Sequence, residues 1–111
     1  MFFPEGHIRV YLYGAPCDMR KSFDGLTGLV KNAMFKDPLS GHLFVFVNRR
    51  GNVLKALYWD RSGFCVWAKR LEQGRFISNW RLASGREMDC TQLKLLLEGI
   101  EKTSRKKRFR R

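Results

Sequence analysis

Acidic residues are scarce in this chain. Asp and Glu number 10 against 22 Lys and Arg, for a formal charge of +12 over 111 residues. The pI is near 10.3. Nucleic acid is the expected contact, with acidic proteins and membrane surfaces as weaker alternatives. Cysteine is scarce too: Cys17, Cys65 and Cys90 are odd in number and widely separated. That spacing points away from a disulfide framework and toward a reducing cytoplasm. Apolar runs are short, and Leu43–Val47 is far too short to cross a bilayer. Residues 1–6 carry neither the basic start nor the long apolar stretch of a secretory leader. No internal repeat of useful length occurs.

What is present is enough for a folded body. Hydrophobic residues make up 44% and aromatics 14%, which excludes a wholly disordered basic protein. The length fits one domain, over residues 1–101. Residues 102–111 hold seven of the 22 basic side chains (Lys102, Arg105, Lys106, Lys107, Arg108, Arg110 and Arg111), one apolar group, Phe109, and no acid. So little burial cannot offset the entropy of ordering, and the segment is predicted to be a disordered cationic tail suited to a polyanion. The body left without it still carries 15 basic against 10 acidic residues, so the positive charge is distributed.

Alternation of Ile8, Val10 and Leu12 against His7, Arg9, Tyr11 and Tyr13 predicts a half-buried strand, stopped at Gly14-Ala-Pro16. Asp18 sits where an N-cap would. Beyond it, Met19, Phe23, Leu26, Leu29 and Val30 recur at helical spacing and predict a helix over about 19–33. Gly25 and Gly28 weaken that helix and would let its backbone approach a sheet. After the turn cluster at 37–41 the period becomes two. Leu43–Val47 is apolar on both faces, as in a central strand. Turns at 48–52 and 60–63 separate strands at 53–59 and 64–71, which predicts an antiparallel meander of two hairpins. Residues 72–90 are left open. Thr91 is placed as the N-cap of a last helix over 92–101, with Leu93, Leu96, Leu97 and Ile100 on one stripe. The expected class is α+β: the meander, an added N-terminal strand, and two helices packed on the sheet.

Several motifs run in a recognisable order. They are Asp18-Met-Arg-Lys-Ser-Phe-Asp-Gly-Leu26, Asp37-Pro-Leu-Ser-Gly-His-Leu-Phe-Val-Phe46, Arg49-Arg-Gly51, Leu57-Tyr-Trp-Asp60, Gly63, Lys69-Arg-Leu-Glu72, Gly74-Arg-Phe76 and Leu95-Leu-Leu-Glu-Gly-Ile100. Over residues 7–101 this string resembles the small accessory protein encoded by the second open reading frame of bacterial insertion sequences of the sixty-six family, often called transposase B. The positions that carry the likeness include Asp18, Arg20, Lys21, Phe23, Gly25, Gly41, Phe44, Phe46, Gly51, Trp59, Asp60, Gly63, Leu71, Gly74 and Phe76. The resemblance implies a role in transposition beside a separate, larger transposase, and it implies no established catalytic activity.

Three chemistries have candidate residues in the chain. Asp18, Asp24 and Asp60 are the carboxylates a two-metal phosphoryl-transfer site would need. Yet Asp18 reads as a cap, Asp60 as a turn residue and Asp24 as an exposed helix position, and Asp18 and Asp24 are six apart, on different helix faces. A zinc site would draw on His7, His42, Cys17, Cys65 and Cys90, but no Cys-x-x-Cys or His-x-x-x-His pair occurs. Nothing places a base beside a thiol, so a cysteine nucleophile lacks its second member. The remaining signal is basic and aromatic. Arg49 and Arg50 fall at a hairpin tip, Lys55 on a strand, and Lys69, Arg70 and Arg75 at the end of the meander, interleaved with Trp59, Trp67, Phe76 and Trp80. Together with Arg105, Lys106, Lys107, Arg108, Arg110 and Arg111 of the tail, these six cations are the expected phosphate contacts, the alternative being a solvated rim that serves solubility alone. Trp59 and Trp67 are expected to be core.

The expectation is therefore a non-catalytic, cytoplasmic accessory factor of transposition with no cofactor or metal, partnering the transposase of its element and DNA, and no membrane. The alternative is a pure protein-interaction module that stabilises the transposase without touching DNA. Oligomeric state and DNA sequence preference are left open.

Overall fold

Every residue of Leu43–Val47 is buried, none more than 3% exposed, and a strand covered on both faces must lie inside its sheet. A computed structural model of the chain describes residues 8–76, 87–88 and 90–99. In chain order the elements are β1 (Val10–Leu12), α1 (Phe23–Asn32), β2 (Leu43–Val47), β3 (Val53–Trp59), β4 (Phe64–Arg70), β5 (Glu87–Met88) and α2 (Cys90–Glu98). They form an α+β fold with one mixed sheet in the order β4-β3-β2-β1-β5, so β2 is its middle strand. β2, β3 and β4 pair antiparallel through the short turns at 48–52 and 60–63. β1 pairs with β2 in parallel. A parallel pair needs a crossover, and α1 supplies it. β5, in the stretch left open by sequence, pairs antiparallel with β1.

The two helices are associated with opposite faces of the sheet. Alternate residues of β2 separate into two cores. Leu43, Val45 and Val47 join Val10, Leu12, Leu54 and Ala56 under Leu93 and Leu97 of α2. Phe44 and Phe46 join Cys17 and Leu57 under Leu26 and Val30 of α1. The predicted solvent side of the first strand is thereby covered as well. Tyr11 stacks on Phe44 and Tyr13 tilts against Phe46, each with ring centroids 5.7 Å apart.

Three sequence expectations need correction. α1 begins at Phe23 rather than near residue 19, and Asp18 is not its cap. Asp18 instead closes a local turn: its Oδ1 accepts the Arg20 N–H at 2.9 Å, and its carbonyl accepts the Lys21 N–H at 3.1 Å. An Asp bonding the amide two residues on competes with helix in this way. Phe23, placed on the apolar stripe, is consequently 47% exposed. Nor do the glycines bring α1 onto the sheet. A Cβ at Gly25 would meet Lys21 at 3.0 Å, and one at Gly28 would meet nothing within 4 Å. Finally, α2 starts at Cys90, so Thr91 lies inside the helix, and it ends at Glu98. Gly99, at φ 85°, turns the chain out of the helix, with its N–H on the Leu96 carbonyl at 3.0 Å.

His7, Trp80, Ile100, most of the 72–90 stretch after Phe76 and the whole of residues 102–111, with the tail cations, lie outside the described residues.

Candidate nucleic-acid interface

The turn between β2 and β3 is built by two asparagines. Asn48 Oδ1 accepts the backbone N–H groups of Asn52 and Val53 at 3.0 and 2.9 Å, and its Nδ2 donates to Asn52 Oδ1 at 2.9 Å. Gly51, buried and at φ 80°, completes the reversal in a region where a Cβ would be strained. This clasp uses the backbone and the two amides, and it leaves the side chains of Arg49 and Arg50 exposed at the tip.

The chain leaving β4 then folds back over that turn. Leu71 N–H donates to the Asn52 carbonyl at 2.8 Å and Phe76 N–H to the Gly51 carbonyl at 2.6 Å. Phe76, 2% exposed, is anchored in the core under α2, and Gly74, at φ 83°, makes the bend. The result is an open pocket of about 300 Å³ that Arg49, Arg50 and Arg75 line together. Asn52 and Gln73 add amides, and Glu72 is the one acid of the lining among the described residues. Arg70 stands beside that carboxylate at 3.6 Å. Among the described residues no carboxylate pairs with Arg49, Arg50 or Arg75.

The other expected contacts are placed differently. Lys55 Nζ donates to the carbonyls of Met19 and Lys21 at 2.8 and 2.9 Å, tying β3 to the approach of α1. Lys69 Nζ donates to the Leu97 carbonyl at 2.8 Å, at the end of α2 where the helix dipole is negative. Trp59 meets Phe64 edge-on at 5.0 Å, and Trp67 packs against the core under α2. Sequence reasoning passed over Asn52, Glu72 and Gln73 as pocket residues. The pair of asparagines bracketing a Gly, Asn48-Arg-Arg-Gly-Asn52, was the signal available for the clasp.

The tempting carboxylates and metal ligands stay apart. Asp18 forks onto Arg20, with Nε and Nη2 donating at 2.8 to 3.1 Å, and these bonds hold its carboxyl down at about 2. Asp24 is in the first turn of α1, and Asp60 in the β3–β4 turn. His42 Nδ1 accepts the Arg9 N–H at 3.0 Å. Cys17 is buried beside α1, where desolvation pushes its thiol up, whereas Cys65 is on β4. Among the described residues no three of His, Cys, Asp and Glu are grouped to hold a metal ion. No helix among them is long and apolar enough to cross a membrane.

The motif positions mostly serve this framework. Phe44, Phe46 and Phe76 are core, Gly41, Gly51 and Gly74 have positive φ, and Asp60 and Gly63 close the β3–β4 turn with a 2.8 Å bond from the Asp60 N–H to the Gly63 carbonyl. No solved structure matches the chain. Two curated proteins of Sinorhizobium fredii (strain NBRC 101917 / NGR234) are similar to it. Uncharacterized protein y4hO is 39% identical over 101 residues, 88% of this chain and 86% of that protein. Uncharacterized protein y4jC is 33% identical over 108 residues, 97% of this chain and 92% of its own length. A family model described as IS66 Orf2 like protein matches residues 8–107, and the chain belongs to that family of insertion-sequence proteins.

Proposed function

We propose that this accessory protein of transposition acts without chemistry of its own, gripping DNA phosphates through Arg49, Arg50 and Arg75 while its body docks on the transposase of the same element. The observation that carries the reading is the convergence of three exposed arginines on one pocket, with no carboxylate among the described residues pairing any of them. Guanidinium forks suit phosphate oxygens, and each phosphate neutralised releases counterions and steepens the salt dependence of binding. Lys55 and Lys69, engaged with carbonyls, are assigned to holding the fold.

The test is a titration of the full chain onto duplex DNA at several salt concentrations, beside Arg49→Ala, Arg50→Ala and Arg75→Ala. Each variant is expected to weaken binding and to flatten the log–log salt slope by about 0.9 per lost contact. Binding that is indifferent to salt and to all three substitutions would remove DNA from the function.

A second reading, docking on the transposase alone, draws on a different surface. Phe35 is 82% exposed and Leu39 53%, and both lie in the connection between α1 and β2. Apolar groups grouped on a surface mark protein contacts. Copurification with the transposase after nuclease treatment, lost on Phe35→Ser, would support it.

A further inference from the structure

We propose that the arginine pocket receives a phosphate monoester at the end of a nucleic-acid strand, rather than the diester backbone of a duplex. This rests on the reading of the pocket as a nucleic-acid contact and narrows it to one chemical group.

Charge is the first argument. Among the described residues the lining holds three arginines and one glutamate, a formal +2. A phosphate monoester carries roughly −1.5 to −2 at neutral pH and presents three strong acceptor oxygens. A backbone diester carries a single charge and two free oxygens, so it would leave the pocket under-neutralised. Three guanidiniums arriving from two separate chain segments, the 48–52 turn and the 71–76 loop, can surround three oxygens from different sides.

Shape is the second argument. The site is a pocket of about 300 Å³, near the lower limit for small-ligand sites. A bare phosphate would not fill it, whereas a phosphate with its sugar would. A duplex presents its phosphates along a convex ridge, which meets an extended groove better than a small open pocket.

The rest of the lining agrees. Asn52 and Gln73 can donate to or accept from sugar and base edges, and Glu72 can accept from a hydroxyl or an amino group. Among the described residues no aromatic side chain lines the pocket to stack on bases as in the grip on the interior of a single strand. The backbone of the pocket is also preorganised: the Asn48–Asn52 clasp and the two backbone bonds from Leu71 and Phe76 fix its walls. The ordering left for binding is that of the arginine side chains.

The experiment is fluorescence anisotropy of the full chain with short labelled single strands, identical except for a terminal phosphate or hydroxyl, at the 5′ end in one series and the 3′ end in the other. A duplex of the same sequence is run alongside. The phosphorylated end in at least one series is expected to bind about tenfold tighter, the worth of one more charged hydrogen bond. That advantage should vanish in Arg49→Ala and Arg75→Ala, whose melting temperatures should stay at the wild-type value because both side chains are exposed. Equal affinity for phosphate and hydroxyl ends, with the substitutions weakening every strand and the duplex alike, overturns the strand-end assignment and leaves general DNA binding standing. No binding to any strand or duplex defeats both readings. Competition arms separate the sources of phosphate. Inorganic phosphate, a nucleoside monophosphate or a phosphoserine peptide binding as tightly as the strand would overturn the assignment to a strand end. Weak competition by all three supports it.

Discussion

Lys55 and Lys69 stand on strands and reach backbone carbonyls 2.8 to 2.9 Å away, whereas Arg49, Arg50 and Arg75 stand on a turn and a loop and line an open pocket. All five looked alike as charges on a chain. The difference lies in what the surrounding backbone needs. The segment before α1 and the last turn of α2 both leave carbonyls without helical partners, and a lysine on an adjacent strand supplies the missing donor. At the 48–52 turn the carbonyls of Asn48, Gly51 and Asn52 already accept the N–H groups of Gly51, Phe76 and Leu71, so the arginine side chains have no internal duty there. Fold-holding and partner-facing cations are thus separated by the local supply of unsatisfied carbonyls, and net charge does not distinguish them.

The contrast can be broken most sharply at Lys55. Lys55→Met removes two charge-assisted bonds and should lower stability by about 3 kcal/mol, read as a lower urea midpoint. Lys69→Met, with one such bond, should lose about half as much. DNA affinity per folded molecule should stay near wild type in both, and a large loss of affinity without a loss of stability would erase the distinction.

An effect between these two is expected where the two roles meet. Asn48→Ala deletes three bonds of a half-buried clasp and should cost about 2 kcal/mol. Unlike the lysine variants, it should also weaken binding of DNA, because it frees the turn that carries Arg49 and Arg50. Heat or urea melts paired with a DNA titration would show both losses together.

The smallest effect concerns a third kind of cation, the exposed Arg20 paired with Asp18. Its hydrogen bonds lower the Asp18 carboxyl from 3.8 to about 2. A carboxyl depressed in the folded state stabilises fully above its unfolded value, and the contribution disappears as pH falls through about 2. Thermal melts stepped between these values should be slightly flatter for Asp18→Asn than for wild type, and the two should converge at the acid end.

Much of this arrangement was legible in the residues. Five consecutive apolar side chains at Leu43–Val47 announced a strand with both faces covered, and it is the middle strand. Leu93, Leu96 and Leu97 announced a helix stripe. The start of α1 was not legible, because Asp18 is equally suited to cap a helix or to close a turn. Tyr11 and Tyr13 read as a polar face because nothing in their spacing says that β1 lies beside β2 with α1 above it. Arg75 was legible as basic, though not as the neighbour of Arg49 and Arg50, which precede it by about 25 residues.

The sequence by itself determined the basic character, the periods of strand and helix, and the family, because each depends on residue type and spacing along the chain. Only the tertiary structure decided which cations face a partner, since that depends on carbonyls and amides contributed by distant segments. Lys55 met the carbonyls of Met19 and Lys21, and Arg75 was carried to Arg49 and Arg50 by the burial of Phe76. Spacing along a chain carries no record of such meetings, which arise when two separate cores close on the faces of one sheet.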